Sequence, residues 1–161
     1  MKRLRIYLDT SVISHLDQQD APALMAETHK LWDKIKAGEY EAVISDVDFI
    51  EIGKCNEAKR NTLLDYLKEI ECTVVEVQGD EQATEIANQI ISLGILRQKS
   101  FDDCQHIAAA IKSGCDAIVS WNFKHMVNIR TIKGVHAVTT LGGYKDILIL
   151  DPFSLIGGDI E

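Results

Sequence analysis

The feature that most constrains this chain is the alternation of very short apolar runs with stretches of helical period. Residues 4–8, 42–44, 73–77, 117–119 and 147–150 are apolar or β-branched runs too short to be helices, and they read as strands. Between them apolar residues recur every three or four positions. Leu24, Met25, Leu31, Trp32 and Ile35 do so within 21–37, and Leu63, Leu64, Leu67 and Ile70 within 57–70. Ile86, Ala87, Ile90 and Ile91 follow Asp80 in the same way, and Ile107, Ala108 and Ile111 follow Asp102 and Asp103. Short apolar strands separated by amphipathic helices predict a parallel sheet covered on both faces. The fold class is therefore α/β, a three-layer α/β/α sandwich with a central parallel sheet. Residues 1–161 read as one domain, without internal repeat or linker.

Local signals set the expected boundaries. Asp20 is placed to cap a helix with Pro22 in its first turn, and Gly38 to stop it. Ser45 caps the helix that carries Asp46, Asp48 and Glu51, and Gly114 ends the one that carries His106. A polar, helical segment is expected after Asn122, before the last strand and Asp151-Pro152. The four cysteines include no CxxC pair and no histidines stand at zinc-finger spacing, which argues for buried reduced thiols and against structural zinc. The first residues carry positive charge but no apolar core before Asp9, and no apolar run reaches membrane-spanning length. These signals lead to the expectation of a soluble cytoplasmic protein.

In open α/β sheets, sites form beyond the carboxyl ends of the strands. Asp9, Ser45 and Asn122 fall at three such ends, and Glu51 lies six residues beyond Ser45 on a helix that can lean back to the same rim. Asp103 stands in the first turn of its helix, with His106 three positions on. Taken singly, each has an ordinary explanation. Asp9 can cap a helix at Thr10-Ser11-Val12, Glu51 can sit on a solvated face, and Asp103 can favour a helix dipole. His106 singly reads as a packed or hydrogen-bonded histidine. Their gathering at strand ends raises them together.

Four segments carry a resemblance to a known family. Leu8-Asp9-Thr10-Ser11-Val12-Ile13, Ile44-Ser45 with Glu51-Ile52, Asp103-Cys104-Gln105-His106-Ile107-Ala108-Ala109-Ala110, and Val119-Ser120-Trp121-Asn122-Phe123-Lys124-His125 resemble the successive motifs of a PIN domain. The order and spacing agree from residue 4 to Pro152. The resemblance implies a metal-dependent endoribonuclease, most commonly a VapC-type toxin with a cognate antitoxin, and a possible homodimer. It implies that Asp9, Glu51 and Asp103 bind Mg2+ or Mn2+, with Ser45 assisting as a hydroxyl near metal-bound water. The family's fourth acid falls on Asn122, which keeps an oxygen ligand but removes a negative charge and weakens a second metal position.

The chemistry agrees with that implication. Phosphodiester cleavage needs an activated water and charge stabilisation, both of which a divalent ion on carboxylates supplies. The chain carries 17 Lys and Arg against 25 Asp and Glu, a net charge of −8, which excludes a protein held on nucleic acid by bulk charge. Lys54, Lys59, Arg60, Lys124, His125 and Arg130 are candidates for local phosphate contacts, and Trp121 either stacks on a base or fills the edge of the core. A PIN-fold protein of weakened catalysis that acts through partner or RNA binding is the alternative, kept open by Asn122. A haloacid dehalogenase-type phosphatase stands well behind, because the position two residues after Asp9 is Ser11 rather than a second Asp.

Overall fold

The computed structural model describes residues 2–157. Its elements run β1 (Leu4–Leu8), α1 (Thr10–Ser14), α2 (Pro22–Lys36), β2 (Tyr40–Ser45), α3 (Asp46–Gly53), α4 (Glu57–Leu67), β3 (Cys72–Val75), α5 (Glu81–Ser92), α6 (Phe101–Lys112), β4 (Ala117–Val119), α7 (Ile129–Gly142), β5 (Leu148–Leu150) and α8 (Pro152–Ile156). The five strands form one sheet in the order β3-β2-β1-β4-β5, and every neighbouring pair is parallel. The expected three-layer α/β/α sandwich is the observed one. From β1 the chain builds outward through β2 to β3, then crosses back to add β4 and β5 on the other side. The connections diverge between β1 and β4, and this opens a crevice at the carboxyl ends of those strands.

Successive side chains of β1 point to opposite layers, as the two-residue period of a strand requires. Ile6 and Leu8 enter a core with Val12, Ile13, Leu31, Trp32 and Leu63, supplied by α1, α2 and α4. Tyr7 enters the other, with Ile86, Ile90, Ile107 and Val135 from α5, α6 and α7. Both layers are apolar, yet the phenol of Tyr7 carries a polar atom into the second. That atom becomes part of the site.

Several boundaries differ from the sequence reading for local reasons. Asp20 does not cap α2; the N-cap is Ala21, with no side-chain bond, and the Asp20 carboxylate accepts from Gln18 Nε2 at 2.7 Å. Helix α4 stops at Leu67 and β3 stops at Val75, where the Asp46 carboxylate takes the N–H groups of Val77 and Gln78 at 2.9 and 3.0 Å. Helix α6 begins at Phe101, so Asp102 and Asp103 both lie inside its first turn. The polar segment after Asn122 becomes α-helical only from Ile129, capped by Asn128. Asp151 and Pro152 open α8, which was not expected; proline suits a first turn because its missing N–H has no intrahelical partner there. Of the four free cysteines, Cys104 and Cys115 are buried as expected, whereas Cys55 and Cys72 are half-buried. No described helix is long and apolar enough to cross a membrane.

One contact between layers depends on a missing side chain. A Cβ on Gly134 of α7 would lie 2.5 Å from Cγ1 of Ile95, which is itself buried. Gly134→Val therefore overpacks the α5–α7 layer. Its expected cost is about 1–3 kcal/mol of unfolding free energy, measured as a lower urea midpoint at unchanged slope.

Candidate active site

Asp9 is the residue at which β1 becomes α1. It has extended backbone and caps the helix by accepting from Val12 N–H at 3.3 Å. The capping role available to it in the sequence is thus observed, but it is only part of its surroundings. One carboxylate oxygen also accepts from the Ser11 hydroxyl at 2.5 Å, and the other accepts from the Ser120 hydroxyl. Those serines are held in turn by the backbone N–H groups of Trp121 and Asn122, each at 2.9 Å. This cross-bracing ties the carboxyl ends of β1 and β4 together at the crevice. Asp9 is only 3% exposed. Burial pushes its carboxyl pKa up, and the charge of His106 and the two hydroxyl donors oppose the shift.

His106 is the centre of a second, larger group. Its Nε2 meets Glu51 Oε1 at 2.5 Å and its Nδ1 meets the Tyr7 hydroxyl at 2.6 Å. Tyr7 also reaches the Ser45 hydroxyl at 2.7 Å and Asp48 Oδ2 at 3.3 Å. The hydroxyl of Thr10 lies 3.0 Å from both Asp48 Oδ1 and Glu51 Oε1. Burial disfavours charge on His106, but the carboxylates of Asp48, Glu51 and Asp9 outweigh it and the pKa is pushed up to about 9. With both ring nitrogens protonated, Nε2–H donates to Glu51 and Nδ1–H donates to Tyr7. Among the described residues no buried side-chain polar atom lacks a partner.

Asp48, like Tyr7 and Thr10, is a member of this group that the sequence does not single out as a site residue. Its side chain closes a capping box on α3: Ser45 Oγ takes Val47 N–H at 3.2 Å while Asp48 Oδ2 takes Ser45 N–H at 2.9 Å. The Ser-x-x-acid spacing was the available signal. Asp48 is fully buried, and burial lifts its pKa to about 7 against the pull of His106, the Ser45 N–H and Thr10. Glu51 is 30% exposed at its side chain. Burial acts to raise its pKa, yet the hydrogen bond and charge of His106 hold it below the usual carboxylate range.

The remaining expected residues are placed as follows. Asp103 Oδ2 lies 3.0 Å from His125 Nδ1. Burial raises its pKa, His106 and His125 oppose the rise, and Asp9 adds to it, so both acids share the field of His106. Ser45 is fully buried, with its hydroxyl engaged by Tyr7 and Val47. The side-chain oxygen of Asn122 accepts His125 N–H at 3.0 Å, and Asn122 makes no hydrogen bond to Asp9, Glu51 or Asp103. Trp121 is 6% exposed and donates to the Thr28 hydroxyl at 2.9 Å, so it fills the edge of the core. Of the candidate phosphate contacts, Lys59 reaches Gln18 at 2.8 Å, while Lys124, His125 and Arg130 cluster around the start of α7.

The hard oxygen donors Asp9, Glu51 and Asp103 are of the type that Mg2+ or Mn2+ prefers. Among the described residues, however, no three His, Cys, Asp or Glu side chains converge closely enough to hold a metal ion. The carboxylates are turned instead onto hydroxyl and imidazole donors. The donor chemistry fits a divalent ion, provided that Glu51 and Asp103 release their histidines. A cavity of about 570 Å3 lies at the opposite, amino-terminal end of β2 and β3 and is lined by Arg3, Tyr40, Glu69 and Cys72. It contains none of these groups.

No protein-family model and no curated protein sequence matches the chain. Among solved structures it is similar to a chain in the crystal structure of VapBC2 from Rickettsia felis bound to a DNA fragment from their promoter. The two share 12% sequence identity at a TM-score of 0.58, covering 92% of this chain and 98% of the other. At that identity the likeness concerns the fold, and it agrees with a PIN-like α/β/α sandwich.

The raised pKa of His106 has a defined consequence for stability. Its folded-state value of about 9 exceeds the ordinary 6.5, so its contribution is complete below about pH 6.5 and is lost as pH rises through about 9. The loss expected in metal-free protein is up to about 3 kcal/mol across that window. Urea unfolding at a series of pH values measures it, and His106→Asn should flatten the decline.

Proposed function

We propose that this chain is a metal-dependent endoribonuclease of the PIN type, acting as the toxin of a toxin–antitoxin pair. The observation that carries the reading is the collection of Asp9, Asp48, Glu51 and Asp103 around the single buried His106 at the switch point of a PIN-like sheet. Gathering buried carboxylates is a poor way to stabilise a fold, because desolvation costs offset what pairing gains. Such a collection is what a site for a divalent cation and a phosphodiester requires. The VapBC2 assembly that contains the structural neighbour supports extending the reading to a protein partner, an antitoxin, and to a possible homodimer.

In this reading Asp9, Glu51 and Asp103 hold Mg2+ or Mn2+, with Asn122 available at a weaker second position. The bound ion supplies a Lewis acid and lowers the pKa of a water. The chain's own residues do the rest. Ser11 and Ser120 fix the Asp9 carboxylate in one orientation, and Asp48 and Tyr7 fix the His106 ring. His106 holds the Glu51 carboxylate in its charged form, and His125 Nδ1 stands 3.0 Å from Asp103 Oδ2. Ser45 acts through Tyr7, holding the ring hydroxyl in place. The alternative, a PIN-fold protein of weakened catalysis acting through a partner or RNA, is favoured by two observations: the Asn122 oxygen is engaged by His125 N–H, and among the described residues no three ligands converge.

Two measurements decide. Asp9→Asn and Asp103→Asn should each lower cleavage of single-stranded RNA in Mg2+ or Mn2+ by at least about 100-fold. Cleavage that persists in both variants overturns the assignment. Asn122→Asp should tighten the binding of a second metal ion in isothermal titration, with Mn2+ supporting more wild-type activity than Mg2+; equal affinity in the two proteins removes Asn122 from the ligand set.

A further inference from the structure

Beside the acidic site the rim changes sign. A cavity of about 290 Å3 is lined by Arg97, Lys99 and Ser100, which precede α6, and by Lys124, His125 and Arg130, which surround the start of α7. No Asp or Glu lines it among the described residues. That is unusual in a chain with 25 acids and 17 Lys and Arg. Several cations elsewhere are paired with acids, Arg5 with Glu41, Lys36 with Glu69, Lys112 with Asp80 and Lys145 with Asp116, whereas others, such as Lys59 on Gln18, are not. Arg97, Lys99 and Lys124 are exposed, and none forms an ion pair or side-chain hydrogen bond with any described residue. Arg130 is held across the cavity mouth by its bond to Gly94 O at 2.8 Å.

The backbone adds to this charge. Helices α6 and α7, of 12 and 14 residues, both begin at the cavity, and the N-cap of α6, Ser100, makes no side-chain capping bond. The positive ends of two helix dipoles therefore lie beside the same space as the cations, with α7 capped by Asn128, which accepts Thr131 N–H at 2.9 Å. His125 joins the cavity to the acids, because it lines the one and stands 3.0 Å from Asp103 on the other.

We propose that this cavity is a phosphate subsite, which takes a backbone phosphate of the RNA strand adjacent to the one presented to the acids. The inference rests on the nuclease reading above and adds to it the means of holding the substrate. A strand approaching a chain of net charge −8 is repelled at long range, so its capture depends on a place where cations are unpaired. Arg97, Lys99 and Lys124 form that place, one imidazole away from Asp103. An acidic protein segment is the competing polyanion. The strand is favoured because His125 is shared by the cavity and Asp103, which sets a phosphate held in the cavity beside the acids of the proposed site.

The test reads binding apart from cleavage. Fluorescence anisotropy of a labelled single-stranded RNA, with chelator present, compares wild type, the triple variant Arg97→Ala/Lys99→Ala/Lys124→Ala, and Lys68→Ala at the end of α4 as a control for the loss of one remote charge. The triple variant should bind at least about tenfold more weakly, with the slope of log Kd against log salt reduced by about 2; Lys68→Ala should bind as wild type. With metal present, the triple variant should raise KM and leave kcat within about twofold, since the acids are untouched. RNA affinity and salt slope unchanged in the triple variant overturn the subsite, as does weakening confined to an acidic peptide. Wild-type protein that binds RNA through these cations but never cleaves it overturns the nuclease reading and leaves the subsite standing.

Discussion

The structure turns on one imidazolium. His106 is buried, protonated at neutral pH, and bonded through its two nitrogens to Glu51 on α3 and Tyr7 on β1. Without its charge, Asp48 and Glu51 would lose their nearest cation and Asp9 and Asp103 a stabilising field. Removing one partner of a buried ionic group costs about 3–5 kcal/mol, because the remaining charge stays desolvated. The group therefore locks three elements, β1, α3 and α6, at one rim. It also explains why Tyr7 occupies a strand position that otherwise calls for an aliphatic residue: only a phenol both fills the α5–α6 layer and carries an oxygen to His106.

Much of this was legible in the sequence. The strands came from short apolar runs, clearest at β4, which is buried throughout, and weaker at the sheet edges, where Val74 of β3 and Leu148 of β5 are exposed. That Asp9, Glu51 and Asp103 stand near one rim followed from their positions relative to those strands, and their candidacy as metal ligands from the resemblance of the motifs around them. The ring of partners was less legible. Tyr7 and Ser120 read as ordinary strand and loop residues, since nothing in their spacing shows that β1 and β4 lie side by side. That adjacency arises from the crossover after β3, a non-local event. Asp48 was visible as an N3 acid, but its burial depends on α6 packing over it. Asp20 misled because a polar residue before Pro22 resembles a cap, whereas Gln18 takes its carboxylate first.

The net charge of −8 acquires a more specific meaning from the coordinates. Part of the acidity is internal, compensated by His106 and by hydroxyl donors, and contributes little to the field outside. Much of the external acidity is paired with lysine and arginine on the helices and strand edges. What a polyanion meets at short range is therefore set by the cations left without an acidic partner, of which Arg97, Lys99 and Lys124 face one cavity beside α6 and α7.

This arrangement sets opposite electrostatic demands on the two sides of His125. Toward Asp103 the ring must support a carboxylate; toward Lys124 and Arg97 it borders a space that attracts anions. Glu51 and Asp103, which would hold a divalent ion in the proposed reading, are also the two acids that meet imidazoles, Glu51 at His106 and Asp103 at His125. Asp9, between its two serines, and Asp48, within its capping box, are fixed instead by hydroxyl and backbone donors, so the two kinds of acid differ in what a bound ion would have to displace.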